Sequence, residues 1–367
     1  MARACVLDGN DEALAWDKIT LIIFEITESS IQENLMSEVK WKDALLKTSL
    51  PLEYLISQKL IQKGISVWGE FNYLRENESG LMDEFSVDIR AWSLLENKKW
   101  STWGQLNFLI ECKYNYPGVK WIFSPLDDEA VLTSGIINVY QDLTTKEFAE
   151  REFFYKTDNK IPYCYKGIEL HAQDSNPQSI KRAFHQLTYA SPVLASEIIF
   201  DQLDEIHDED LHIGFIVPVI VTTAQLYVFK SGLDISSFKN AKDLDELADK
   251  TNILAISNSP SIGLRNFTNK LIQKLHTQYQ AKFESRLKQI NYFERKRRKK
   301  YLTNDWQIEN SIRSSAETVL VTSYENFDKT IDEICRTLNK VGELIKQNSI
   351  LKFDRTTFTS TIKSIKK

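Results

Sequence analysis

Glu111 and Lys113 stand two residues apart near the end of an apolar run, residues 107–114, that reads NFLIECKY. In a β-strand, positions i and i+2 project from the same face. The carboxylate and the ammonium therefore point together, while Ile110 and Cys112 face the other way. Charge on an apolar strand needs a reason, because burying it is costly. A second apolar run, 85–95, carries Asp88. Set on a neighbouring strand, Asp88 joins the pair and gives two carboxylates and one lysine on a sheet edge. That set suits a divalent cation and a phosphate. Phosphodiester hydrolysis needs a nucleophilic water near neutral pH and cancellation of charge on the phosphorus oxygens, and a cation held by hard oxygen ligands supplies both. Mg2+ takes one or two protein carboxylates besides phosphate and water, which Asp88 and Glu111 meet; Mn2+ is an expected substitute. Lys113 adds a mobile positive donor. The plainer alternative is an edge-strand ion pair between Glu111 and Lys113, with Asp88 in a turn.

The chain has 367 residues, 42% of them hydrophobic, enough for a proper core in one large domain or two. The net charge of −5 means that any nucleic-acid contact must draw on a local concentration of positive charge. Cys5, Cys112, Cys164 and Cys335 are scattered and lack zinc-type spacing. Reduced thiols in a cytoplasmic protein are expected. No signal peptide or membrane span is predicted: the most apolar segment, 213–229, is interrupted by Pro218, Thr222, Thr223 and Gln225 and reads as two buried strands.

The elements that must position the three residues follow from periodicity. Residues 1–48 form a lead-in with a strand at 19–26 and a helix at 32–46. Pro51 opens a helix in which Leu52, Leu55, Ile56, Leu60 and Ile61 recur, and Gly64 closes it. Glu53 sits in its first turn, as a dipole-complementing surface acid or as a functional group. Strands are predicted over 65–74, which contains Glu70, over 85–95 and over 107–114, with a polar connector bearing Trp100 and Trp103 between the last two. Residues 119–174 form an insertion, in which Trp121, Ile122 and Phe123 continue or cover the sheet. Asn176 and Pro177 start a helix with Phe184, Gln186, Leu187 and Tyr189, bent or stopped at Pro192. A central strand follows over 212–223, with 226–230 beside it. Residues 236–367 read as mostly helical, with long helices at 267–287 and 327–345.

Helix, three strands, helix, strand, with acids on the second and third strands: here the chain resembles the PD-(D/E)XK nuclease superfamily, the restriction-endonuclease-like fold. The matching residues are Asp88 in Ser-Val-Asp-Ile and the Glu111-Cys112-Lys113 triplet. Val87 stands where a proline often precedes the aspartate. The resemblance covers the part of the chain from 51 to 230 and implies an α/β core, a mixed central sheet flanked by helices, spanning 49–235, with a helical C-terminal extension. It implies that Asp88 and Glu111 bind Mg2+, that Lys113 orients the attacking water and steadies charge at the phosphate, and that an acid from the first helix or strand, Glu53 or Glu70, joins the site. Gln186 with Tyr189 is similar to the Gln/Tyr helix motif of the exonuclease branch, one residue closer in spacing. The expected activity is endonucleolytic hydrolysis of DNA, with RNA as a further substrate to test. Partner proteins of a restriction or anti-phage defence system, and a homodimer for two-strand cutting, are further expectations. The alternative is a non-catalytic nucleic-acid-binding or scaffold protein that keeps the fold.

Other groups have milder readings. The run Arg295, Lys296, Arg297, Arg298, Lys299 and Lys300 is a candidate contact for a phosphate backbone, or a solvated helix end. His207, Asp208, Asp210 and His212, like Asp127 to Glu129, read as surface loops rather than metal sites. Cys112 reads as a small buried hydrophobe, and His185 as a packing residue. Trp100 and Trp103 could stack on bases, though burial against the insertion is the simpler role.

Overall fold

A computed structural model describes residues 41–77, 79–97, 100–126, 130–131, 137–139, 160–171, 175–176, 178–202, 213–257, 259–289, 309, 312–315 and 317–347. The chain divides into two compact units, Met1–Pro51 and Leu52–Lys367. In the first, residues 41–46 are helical; the strand and most of the helix expected in the lead-in lie outside the described residues.

Helix α1 (Leu50–Gln62) begins with Pro51 in its first turn, where a missing N–H costs nothing. Leu52, Ile56 and Leu60, spaced by four, make its buried stripe. The helix ends in a paired cap: Gly64 N–H donates to Ile61 O and Ile65 N–H to Leu60 O, with Gly64 at φ 75°. The chain then runs through β1 (Ser66–Glu76), β2 (Met82–Asn97) and β3 (Trp100–Lys113), an antiparallel meander. Trp100 and Trp103 thus lie on β3 and not in a connector, because pairing with β2 extends the strand beyond its apolar half. There follow β4 (Lys120–Pro125), β5 (Ala130–Val131), β6 (Ile137–Val139), β7 (Lys160–Ile161), β8 (Tyr163–Leu170) and β9 (Ser175–Asn176). Helix α2 (Gln178–Gln202) is capped by the Asn176 side chain, which accepts from Gln178 N–H at 2.9 Å.

Strand β10 (Ile213–Thr222) lies parallel to β3 over ten paired residues, from Ile213 opposite Gly104 to Thr222 opposite Lys113. Residues 214–222 are all buried, as a strand covered on both faces requires. Pro218 is tolerated there because β10 changes neighbours on its other edge at that point, from β6 (residues 214–216) to β14 (Thr318–Ser323; residues 219–222). The remaining elements are β11 (Gln225–Phe229), α3 (Ile235–Asn240), β12 (Ala248–Thr251), β13 (Ile253–Ser257), α4 (Ile262–Gln289) and α5 (Phe327–Gln347).

One mixed sheet runs β1-β2-β3-β10-β14-β13-β8-β4-β11-β12. One face is packed by α2 and α4 through Ala183, Leu187, Leu194, Ile198, Ile272 and Leu275. The other is packed by α1 and α5 through Leu52, Ile56, Leu60, Ile331 and Ile334. The molecule is therefore an α/β protein with helices on both sides of its sheet. Among the described residues no helix is long and apolar enough to cross a membrane.

Several expectations are corrected. Residues 236–367 are not simply a helical extension. They supply β12, β13 and β14 to the same sheet, and no unit boundary falls near 235. Strand β11 pairs with β4 and β12, not with β10, because β14 takes the place beside β10. Of the two roles expected for Trp121, Ile122 and Phe123, the first is found: they continue the sheet, as β4, paired with β8 and β11. Of the bend or stop expected at Pro192, the stop is overturned, since α2 runs on to Gln202: a proline inside a helix costs ~3 kcal/mol, and fully buried Ala190, Leu194 and Ala195 on either side of it hold the helix on the sheet.

Candidate functional site

The site forms where two regular ladders fail. The β2–β3 pairing stops at Ile89 opposite Ile110. One step further, Asp88 Oδ2 accepts the Cys112 N–H at 2.6 Å, so a side chain takes a donor that a continued ladder would give to backbone. Side-chain alternation along β2 also breaks here. Val87 packs in the core under α2, whereas Ile89, two residues on, packs in the core under α1. On the other side, β1 slips register between Val67 and Phe71 around Gly69, which sits at φ 90°. A bulge with glycine in the left-handed region bends a strand and re-aims its neighbours. It places Glu70 level with the break in β2.

Glu111 and Lys113 project together from β3, as i and i+2 positions must. Lys113 Nζ donates to Glu111 Oε1 at 2.6 Å. The Glu111 side chain is 0% exposed and that of Lys113 25%. Glu111 Oε2 is buried and has no hydrogen-bond partner among the described residues. On the β10 side Glu111 faces Ile220, which offers no donor. An ionised carboxylate with one oxygen unsatisfied in the interior is costly.

The electrostatics follow from that burial. Glu111 is pushed up to about 7 by burial, with the Asp88 carboxylate raising it further, and Lys113 and the Asp88 backbone N–H opposing. Asp88 is also raised by burial, against the pull of the Cys112 N–H and Lys113. Glu53, on α1, is pushed up to about 7 by burial and then by Asp88 and Glu70. For Lys113, burial works to lower the proton affinity, but the charge and hydrogen bond of Glu111 carry it above its ordinary value. Four carboxyl groups and one ammonium thus share one field, and the excess negative charge is met by protons near neutral pH. A divalent cation would meet it as well, displacing those protons. Among the described residues no three His, Cys, Asp or Glu side chains stand at metal-ligand spacing. The fit to a cation rests on the unsatisfied Oε2 and on hard carboxylate donors, the set that Mg2+ prefers.

The structure brings Asp88, Glu111 and Lys113 together, and both Glu53 and Glu70 lie within their field. Gln186 on α2 is tied to the same place: its Nε2 donates to Ser86 O at 3.1 Å, and its own carbonyl accepts from Tyr73 Oη at 3.2 Å. Cys112 is fully buried, its thiol pushed up by burial, as suits a core residue. Arg295 to Lys300, the group His207, Asp208, Asp210 and His212, and Asp127 to Glu129 lie outside the described residues. The sequence reading missed a brace behind Lys113. Asn115 N–H donates to Thr223 Oγ1 at 2.7 Å and Asn115 Nδ2 to Thr222 Oγ1 at 2.9 Å, clipping the end of β3 to the end of β10. Isolated Asn and Thr residues at strand ends carry no periodicity that would reveal it.

Fold and site define an α/β protein with a buried acid–lysine cluster at a gap in its sheet. Compared with protein-family models, with curated proteins and with solved structures, the chain matches none.

Proposed function

We propose that this chain is a metal-dependent nuclease that hydrolyses phosphodiester bonds in DNA. The observation that carries the reading is Glu111: wholly buried, bonded to Lys113 through one oxygen, unsatisfied at the other, and beside Asp88. The succession α1, β1, β2, β3, then α2 and β10 after the inserted β4 to β9, with acids on β2 and β3, supports the resemblance to the restriction-endonuclease-like fold. Asp88 and Glu111 would hold Mg2+ or Mn2+, which when bound lowers the pKa of water and offsets charge on phosphate oxygens. The chain's own residues do the remaining work. Lys113 Nζ is the donor placed to orient water and to steady charge on a phosphate oxygen. The Cys112 N–H fixes the Asp88 carboxylate. Gln186 holds the β1–β2 hairpin against α2.

The test is incubation of purified protein with DNA and Mg2+ or Mn2+, beside Asp88→Ala and Lys113→Ala. Cleavage by the wild type alone supports the reading; equal behaviour of all three proteins refutes it. The same experiment addresses a non-catalytic nucleic-acid-binding or scaffold protein, a second reading that the closed Glu111–Lys113 bond favours.

A further inference from the structure

Beyond the point where β2 leaves β3, the β1–β2 hairpin continues as an arm lying over α2, and Arg75 stands near its tip opposite Asp83. The guanidinium carbon of Arg75 is 4.0 Å from the centre of the Phe85 ring and 4.4 Å from that of Tyr189. Tyr189 is itself braced by Phe267 at 5.2 Å, and Phe85 by Tyr73 at 5.9 Å. Rings packed against the guanidinium fix its plane and leave its N–H edge as the surface that can take a ligand.

The acids nearest in sequence and register are already engaged. Glu76 pairs with Lys270, and Asp83 accepts from Asn77 Nδ2 at 3.0 Å. Among the described residues no carboxylate bonds to Arg75. A second cation, exposed Lys181, shares a face of α2 with His185 and Tyr189, each four residues further on, and burial, then Lys181, then Arg75 lower the proton affinity of His185. Phe85, which lies against Arg75, is on the same strand as Asp88, three residues before it, so the arm adjoins the acid–lysine site, and Tyr73 feels the charges of both Arg75 and Glu111. In a chain of net charge −5, Arg75 is thus a cation held in fixed geometry by two rings.

We infer that Arg75, with Lys181 alongside, is a phosphodiester-binding subsite that holds a backbone phosphate of the nucleic acid whose reacting phosphate lies at Lys113. The inference takes its direction from the nuclease reading. A planar guanidinium engages two phosphate oxygens at once, and a strand rises ~3.3 Å per residue, so the arm reaches past the reacting phosphate to another along the backbone.

The experiment measures binding of matched fluorescent DNA and RNA oligonucleotides by anisotropy in EDTA, over a range of salt, for wild type, Arg75→Ala and Arg75→Lys. Arg75→Ala is expected to weaken binding about tenfold at low salt and to reduce the slope of log K against log salt by about one. Arg75→Lys keeps the charge but loses the fork, so it should keep the slope and recover only part of the affinity. A structural role alone would not change the slope. Unchanged affinity and slope in both variants overturns the subsite, as does a wild type that binds neither oligonucleotide at low salt. The two readings separate: a protein that binds through Arg75 but never cleaves with metal overturns the hydrolase reading alone. One that cleaves while Arg75→Ala binds normally overturns the subsite alone.

Discussion

Among the described residues two carboxylates, Glu111 and Glu169, are buried in this sheet, and they are treated differently. Glu169, on β8, is 4% exposed and has both oxygens occupied: Trp121 Nε1 donates to Oε2 at 2.9 Å, and His171 Nε2 stands 2.8 Å from Oε1. Its partner Trp121 sits directly across the β4–β8 ladder. Glu111, on β3, is equally buried, but only Oε1 has a partner. On one side it meets Ile220, and on the other the ladder has already opened. What separates a structural acid from a candidate for reactivity is thus what the neighbouring strands supply. A fully bonded carboxylate holds two strands together, whereas one with an oxygen to spare can accept a ligand.

The largest expected difference between Glu111 and Glu169 lies in activity. Asp88→Ala or Lys113→Ala should lower DNA cleavage by on the order of 10²–10⁴, while Glu169→Gln should stay within about a few-fold of wild type. Comparable losses at both places, measured as initial cleavage rates, would erase the distinction.

Stability should show the reverse order. Glu169→Ala leaves the Trp121 indole N–H buried and unpaired, and should cost about 1–3 kcal/mol in urea unfolding. Glu111→Gln removes a poorly satisfied buried charge, and Lys113 can turn to solvent through its exposed quarter, so the change should be within about 1 kcal/mol or a gain.

The pH dependence sharpens the contrast further. Glu111 and Glu53 rise from an ordinary 4.5 to about 7 in the fold. The folded chain therefore binds more protons than the unfolded one between those values. Their contribution to stability is least unfavourable below 4.5, declines as pH rises, and levels off above about 7. Wild type should lose stability across that window, and Glu111→Gln should lose less. A cation that takes the place of those protons makes Mg2+ raise the melting temperature more at about pH 8 than at about pH 5; an equal rise at both would count against Asp88 and Glu111 as its ligands.

The smallest effect is expected at Gln186. Removing its bond to Ser86 O with Gln186→Ala should cost about 1 kcal/mol or less in unfolding and no more than roughly tenfold in cleavage. A loss as large as that of Lys113→Ala would give Gln186 a chemical role instead of a bracing one.

The pairing of Glu111 with Lys113 was legible because a strand has period two: spacing alone puts these two on one face and Cys112 on the other. α1 was legible from Pro51, the leucine and isoleucine stripe and Gly64, and β10 from its unbroken apolar run. These are local properties, set by backbone geometry and by side chains within a few residues of one another. The full extent of β3, the passage of α2 through Pro192, and the recruitment of β12, β13 and β14 into the sheet were not legible. Each is decided by a neighbour distant in sequence whose pairing or packing outweighs local preference.

Which residues could do chemistry, and which of them share a strand face, is already written in their types and spacing. That Glu111 Oε2 has no hydrogen-bond partner among the described residues, that the β2–β3 ladder opens at Asp88, and that Arg75 is held by Phe85 and Tyr189 all come from the fold. The reason is physical. Side-chain direction repeats along a chain, but whether a buried oxygen is satisfied depends on atoms that folding brings from elsewhere.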